Sequence, residues 1–213
     1  MSTIHQNVTR SSSSEIIISS DDELPSNAAL VIIDLQKAFD DPRCGQRNNP
    51  EAEANTGRLL AGWRRTGRPV IHVQHLSREP DSPYRPGQPG CDFKDEVRPQ
   101  AGELVVQKST NSAFVDTGLG PYLEDQGIHT LVMTGVATNN CVEATARMAG
   151  NLGYETYVVA DATATADRTD LAGRVWRAEE IQALTLANLQ GEYATVSSTE
   201  EILARLVAPR RPA

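Results

Sequence analysis

The sequence predicts a three-layer α/β sandwich, with a central, mostly parallel six-stranded sheet and helices on both faces. Two observations carry this. Short Val/Ile/Leu-rich runs alternate along the chain with segments whose apolar residues recur at helical spacing. The first run, residues 28–33 (AALVII), is apolar without polar alternation, as in a strand buried on both faces of a parallel sheet. The 213 residues suffice for one domain with a full core.

The elements follow in order. Residues 28–33 form the first strand and Asp34 closes it; Asp40, Asp41, Pro42 and Gly45 then mark a loop. Residues 50–66 read as a helix with Ala54, Leu59, Leu60 and Trp63 inward and Gly67 as its stop. A second strand spans 68–74. Residues 75–100 form a long loop punctuated by five prolines, with Tyr84, Arg85 and Phe93 between them; a loop of that length inside a compact domain is usually functional. A third strand covers 104–107 and ends at Lys108. A loop over 109–116 carries Phe114, and a short helix over 119–126 stops at Gly127. Residues 129–133 make a fourth strand, leading through MTGVATNNC to a helix from Val142, with Gly135 read as a tight turn and Thr138 or Asn139 as the cap. A fifth strand over 154–160, a loop over 161–167, a helix over 178–189, a last strand over 193–196 and a helix over 199–206 capped by Thr199 complete the domain, 28–207. Residues 1–27 read as a flexible, polar, Ser-rich arm and 208–213 as a tail.

Formal net charge is −8 and the basic residues are scattered, which argues against a nucleic acid or an anionic membrane as partner and leaves a small molecule as the expected ligand. The apolar cluster at 16–18 is too short for a signal-peptide core, and Cys44, Cys91 and Cys141 are an odd set without CxxC spacing. A reducing cytoplasm is the expected compartment, and Cys44 and Cys91 read as structural or incidental.

In parallel α/β sheets, ligands bind beyond the carboxyl ends of the strands. Asp34, Lys108 and Cys141 each follow a predicted strand, so the fold brings them to one edge. Each has an ordinary reading as well: an Asp there often caps a turn, a Lys reaches for solvent, and a lone Cys is a small buried hydrophobe. Two facts favour chemistry. The chain uses 17 arginines but only three lysines, and arginine cannot give up its proton as an ammonium can. A carboxylate can also take a thiol proton while an ammonium steadies the thiolate, with no histidine required. Cys141 near a helix N-terminus is expected to have a lowered thiol pKa.

The segments IIDLQ (32–36), QKS…SAF (107–114) and TGVATNNCV (134–142), in this order, resemble the isochorismatase-like superfamily of cysteine hydrolases over roughly residues 28–207. The resemblance implies an Asp34–Lys108–Cys141 triad in which Cys141 attacks a carbonyl, Asp34 is the general base and Lys108 gives electrostatic support. It also implies a cis peptide at Val136–Ala137, an oxyanion hole from the Ala137 and Cys141 N–H groups, and a homo-oligomer, dimer or tetramer. The family's nicotinamidases bind a metal through an Asp and two His; the segment His72-Val-Gln-His75 lacks that pattern, so neither metal nor other cofactor is expected. Gln36, Phe39, Phe114, Thr138 and Asn140 lie close in sequence to the triad and are the candidate pocket residues. Tyr84 and Arg85 could cover the site or bind an anionic group but, as loop residues, are read as solvated, and Gln182 as a residue that could reach the site from the side. The expected activity is hydrolysis of a small non-peptide amide, ureido or carbamoyl C–N bond. A vinyl-ether hydrolase and a non-catalytic relative are the alternatives.

Overall fold

The structure is a computed structural model that describes residues 23–206, so most of the N-terminal arm and the tail lie outside the described residues. Its centre is a six-stranded, wholly parallel sheet. In chain order the strands are β1 (Ala29–Ile33), β2 (Val70–His75), β3 (Leu104–Lys108), β4 (Thr130–Val136), β5 (Glu155–Ala164) and a last strand (Thr195–Ser197). The helices are α1 (Ala52–Thr66), α2 (Leu119–Asp125), α3 (Glu143–Asn151), α4 (Ala178–Leu189) and α5 (Thr199–Ala204). The spatial order is β3-β2-β1-β4-β5 and then the last strand. The chain winds outward from β1 to β3, then returns to lay β4 on the other side of β1. The junction of β1 and β4 is therefore the topological switch point, where a crevice opens between diverging connections.

The unbroken apolar run of β1 is explained by two cores. Leu30 and Ile32 face one side, packing with Leu59, Leu60 and Trp63 of α1 and Ile202 of α5. Ala29, Val31 and Ile33 face the other, with Leu119 and Leu123 of α2, Val142, Ala146 and Ala149 along α3, and Leu189 of α4. The Trp63 indole donates to the Ala28 carbonyl at 2.9 Å, tying α1 to the start of β1. Each buried Leu, Ile or Val among these contributes about 2 kcal/mol of transfer free energy.

The structure departs from the sequence reading at five places. The packed domain starts at Leu24, which is buried and donates its N–H to Arg205 O, so residues 24–27 belong to the body rather than to a flexible arm. Strand β5 continues to Ala164 where a loop was expected from 161. Between the pairs Met133–Val158 and Gly135–Thr163, one residue of β4 is matched by four of β5, and this bulge hides the strand's periodicity. A two-stranded antiparallel ribbon, β6 (Arg168–Thr169) and β7 (Val175–Trp176), follows it, its strands too short at two residues each to show a period. The cap of α5 is Ser198, in a reciprocal box with Glu201, while Thr199 bonds Asp161. Gly135 lies within β4 rather than in a turn; with φ +115° it lets β4 approach Ile33 so closely that a Cβ would stand 2.0 Å from the Ile33 carbonyl oxygen.

Candidate active site

Asp34 leaves β1 with φ +50°, a left-handed conformation that Asp tolerates better than most residues and that costs about 1 kcal/mol or more. Its N–H is still held by Val73 O at 3.0 Å. Lys108 ends β3 in register with His75 at the end of β2. Beyond β4 the chain makes a π-helical turn, Thr138–Val142, before α3 begins, and Cys141 sits in that turn; π turns of this kind are frequent at functional sites. The Val136–Ala137 peptide is cis.

These three strand ends bring the predicted residues together. The Lys108 ammonium donates to Asp34 Oδ2 at 2.6 Å, to Cys141 Sγ at 3.3 Å and to Thr110 O at 3.1 Å, and stands 3.3 Å from His75 Nδ1. Asp34 and Lys108 are buried, and among the described residues Asp34 Oδ1 has no hydrogen-bond partner, so a lone pair is open to accept a proton. Burial raises the Asp34 pKa, with the Lys108 charge opposing it. Burial first, and then the Asp34 charge, push the Cys141 thiol up to about 12, with Lys108 again opposing. The lowering expected at the helix N-terminus is thus opposed by burial and by the neighbouring carboxylate.

Over the triad opens a cavity of about 290 Å³, the scale of a small molecule rather than a folded chain. Asp34, Cys141, Val136 and Ala137 form its floor, so both residues of the expected oxyanion hole line it. Phe39 and Asn140 line it as expected. Gln36, Phe114 and Thr138 do not. The Gln36 side chain is wholly buried and engaged by His75 N, His75 O and Cys91 O, so it clamps the end of β2 to the long loop. Phe114 packs on Tyr154 with ring centroids 5.6 Å apart. Thr138 is buried and donates to Gln182 Oε1 at 3.0 Å. Nor does Thr138 or Asn139 cap the turn, because Asn139 accepts from Thr165. Gln182 accordingly does not reach the cavity; it braces Thr138 and the backbone of β5 at Ala160.

The sequence reading missed the remaining wall. Tyr84, expected in solvent, lies edge-on to His75 with centroids 5.5 Å apart, and both line the cavity, whereas Arg85 is exposed. Cys44, read as incidental, lines it as well, together with Arg43, Asn111 and Arg168. The long loop's proline density and the TNS segment at 110–112 were the available signals; nothing marked Arg168. Burial and the Lys108 charge lower the His75 pKa to about 4, so this imidazole is neutral near neutral pH. Donor atoms of Asp34, His75 and Cys141 lie within 4.8 Å of one another, a set that could hold a metal ion. The Lys108 ammonium already stands against all three and supplies positive charge there.

Fold and site define a parallel α/β domain that presents a thiol, a carboxylate and an ammonium in one crevice at its switch point. The Isochorismatase domain family model matches residues 28–201. An isochorismatase-family crystal structure from Chromobacterium violaceum superposes with a TM-score of 0.83 at 50% identity, covering 85% of this chain and 94% of that one. The isochorismatase family protein YrdC of Bacillus subtilis is 41% identical over 82% of this chain and 94% of its own length. The ureidoacrylate amidohydrolase RutB of Pseudomonas syringae is 30% identical over 83% and 82% respectively. The chain belongs to the isochorismatase family of hydrolases. Among the described residues, no helix is long and apolar enough to cross a membrane.

Proposed function

We propose that this protein is a cysteine amidohydrolase that cleaves a small non-peptide amide, ureido or carbamoyl C–N bond through a thioester, without a cofactor. The observation that supports it most is the Lys108 ammonium, 2.6 Å from Asp34 and 3.3 Å from Cys141, beneath a cavity of small-molecule size. Asp34 takes the Cys141 proton as Sγ attacks the carbonyl carbon. The oxyanion forms beside Ala137 and Cys141, whose N–H groups are the candidate donors; one such donor is worth about 3 kcal/mol. Collapse breaks the C–N bond, and the departing nitrogen takes the proton from Asp34. Water, deprotonated by Asp34, then attacks the thioester; the acid leaves and Cys141 recovers its proton. Lys108 keeps Asp34 ionised between steps and offsets the developing thiolate. Self-association as a dimer or tetramer belongs to the same proposal.

Ammonia release from a panel of small amides, ureides and carbamoyl compounds tests this, with wild type and Cys141→Ala side by side. Release by the wild type alone is expected. If both are silent on the panel, and Cys141→Ala cleaves isochorismate-type vinyl ethers as well as wild type does, the thioester reading fails and acid catalysis by Asp34 replaces it.

A further inference from the structure

We infer that Gln182, remote from the cavity, is a positioning residue for the reaction: acting through Thr138, it holds the turn that carries the oxyanion donors in the shape the tetrahedral intermediate needs. This rests on the amidohydrolase reading and adds a residue to its machinery.

The turn before α3 contains two kinds of residue. Val136, Ala137, Asn140 and Cys141 line the cavity. Thr138 and Asn139, between them, are tied the other way. Thr138 is wholly buried and its hydroxyl donates to Gln182 Oε1 at 3.0 Å, while Asn139 Oδ1 accepts from the Thr165 hydroxyl. No side chain caps the turn, so these two bonds anchor its middle from behind.

Gln182 is buried on α4, and its carboxamide makes all four hydrogen bonds open to it. Oε1 accepts from Thr138 and, at 2.9 Å, from Asn48 Nδ2; Nε2 donates to Ala160 O at 2.8 Å and to Thr163 O at 3.4 Å. Asn48 is locked in turn, its Oδ1 accepting Thr165 N at 2.8 Å and its N–H donating to Thr165 O at 3.1 Å. The far end of the network is therefore the backbone of the β5 bulge, and Thr163 there is paired with Gly135 of β4. Gln182 thus measures the turn against the sheet itself. Aliphatic side chains fill the core around it, and a residue needed only to fill space would not call for a buried amide, which costs stability unless every bond is made. A fully satisfied polar network specifies one arrangement. Catalysis needs that, since a displacement of about 1 Å in a reacting group costs about 10²-fold.

Two small aldehydes, acetaldehyde and benzaldehyde, probe the donors without knowledge of the substrate. Cys141 Sγ adds to the carbonyl carbon, the C=O π bond opens and the thiol proton passes to Asp34, leaving an oxyanion where that of an amide would form. Iodoacetamide alkylates the same sulfur by displacing iodide and calls on no oxyanion donor. Peptide mass spectrometry reads the aldehyde concentration that halves the iodoacetamide rate at Cys141. That concentration is expected to rise about tenfold in Thr138→Val and in Gln182→Met, part of the roughly 10²–10³ that a whole donor is worth. The alkylation rate without aldehyde should stay at the wild-type value, and Thr138→Ser, which keeps the hydroxyl, should restore the wild-type concentration. Thr138→Val keeps the shape of the side chain, so it reports even where Gln182→Met fails to fold. On a substrate that is turned over, the same two variants should lower kcat and leave KM. Protection that is equal in all the proteins, absent from all of them, or lost in step with the alkylation rate overturns the inference. Failure of the amidohydrolase reading shows separately, as a panel without ammonia release in which aldehyde protection still depends on Thr138 and Gln182.

Discussion

Asp34→Asn is expected to slow amide hydrolysis by about 10³-fold, within the range that a positioned general base contributes. The reason is the proton inventory of the crevice. Burial and its acidic neighbour push the Cys141 thiol up to about 12, so attack by sulfur calls for a proton acceptor, and in the proposed mechanism that acceptor is Asp34 Oδ1, which has no hydrogen-bond partner among the described residues. An amide in place of the carboxylate fits the same space and tolerates the left-handed backbone at φ +50°, so the fold survives. It does, however, leave the Lys108 ammonium buried without its counter-charge, at a cost of about 3 kcal/mol in stability. Lower melting temperature and lost turnover should therefore appear together, with substrate binding retained. The same group sets the acid limb of the wild-type pH profile. Asp34 must be ionised to act, and burial raises its pKa above the ordinary 3.8. The rate constant kcat/KM should accordingly fall, as pH drops, at a pH higher than an exposed aspartate would give. Full activity in Asp34→Asn would remove it as the base.

Gly135→Ala is expected to be the most damaging small substitution in the domain, costing more than about 4 kcal/mol, on the scale of the largest single-residue effects. The added Cβ would meet Ile33 O at 2.0 Å and Ile33 N and C at 2.8 Å, all of them backbone atoms of β1, and the φ of +115° is itself foreign to alanine. Neither strand can retreat, because Ile33 and Gly135 are paired in the centre of the sheet. Ile33 immediately precedes Asp34, and Gly135 lies six residues before Cys141, so any shift that relieves the clash also parts base from nucleophile. Gly67→Ala and Gly153→Ala are the controls. Both glycines have positive φ, but a Cβ at either meets nothing within 4 Å, and each substitution should cost only about 1 kcal/mol in denaturant unfolding. Equal stability of Gly135→Ala and these controls would contradict the packing described here.

How much of this was legible beforehand follows from where each residue sits. The juxtaposition of Asp34, Lys108 and Cys141 was readable because each lies at or just beyond the carboxyl end of a parallel strand, and strand ends share an edge whatever the loops do. The pocket list fared worse because nearness in sequence is not orientation. Gln36 turns back onto β2, Thr138 turns toward α4, and Phe114 joins the core beneath α3, although all three flank the triad. Conversely, Tyr84 and Arg168 reach the cavity from 24 residues before Lys108 and 27 after Cys141. Tyr84 arrives on a loop tied by the Gln36 and Cys91 bonds, and Arg168 on a segment zipped to residues 43–48. Those pairings are tertiary and leave no periodic trace. The lowered thiol pKa failed for a related reason: a helix N-terminus favours a thiolate, but burial beside a carboxylate outweighs it, and burial at this depth depends on the packed wall around Cys141.

The most direct test of the account is the covalent intermediate itself. With an amide substrate drawn from the panel, rapid acid quench followed by peptide mass spectrometry should show the acyl group on Cys141 as a thioester, labile to hydroxylamine, accumulating in wild type and absent from Cys141→Ala. Turnover in Cys141→Ala at the wild-type rate, or an acyl group carried on another residue, would contradict it.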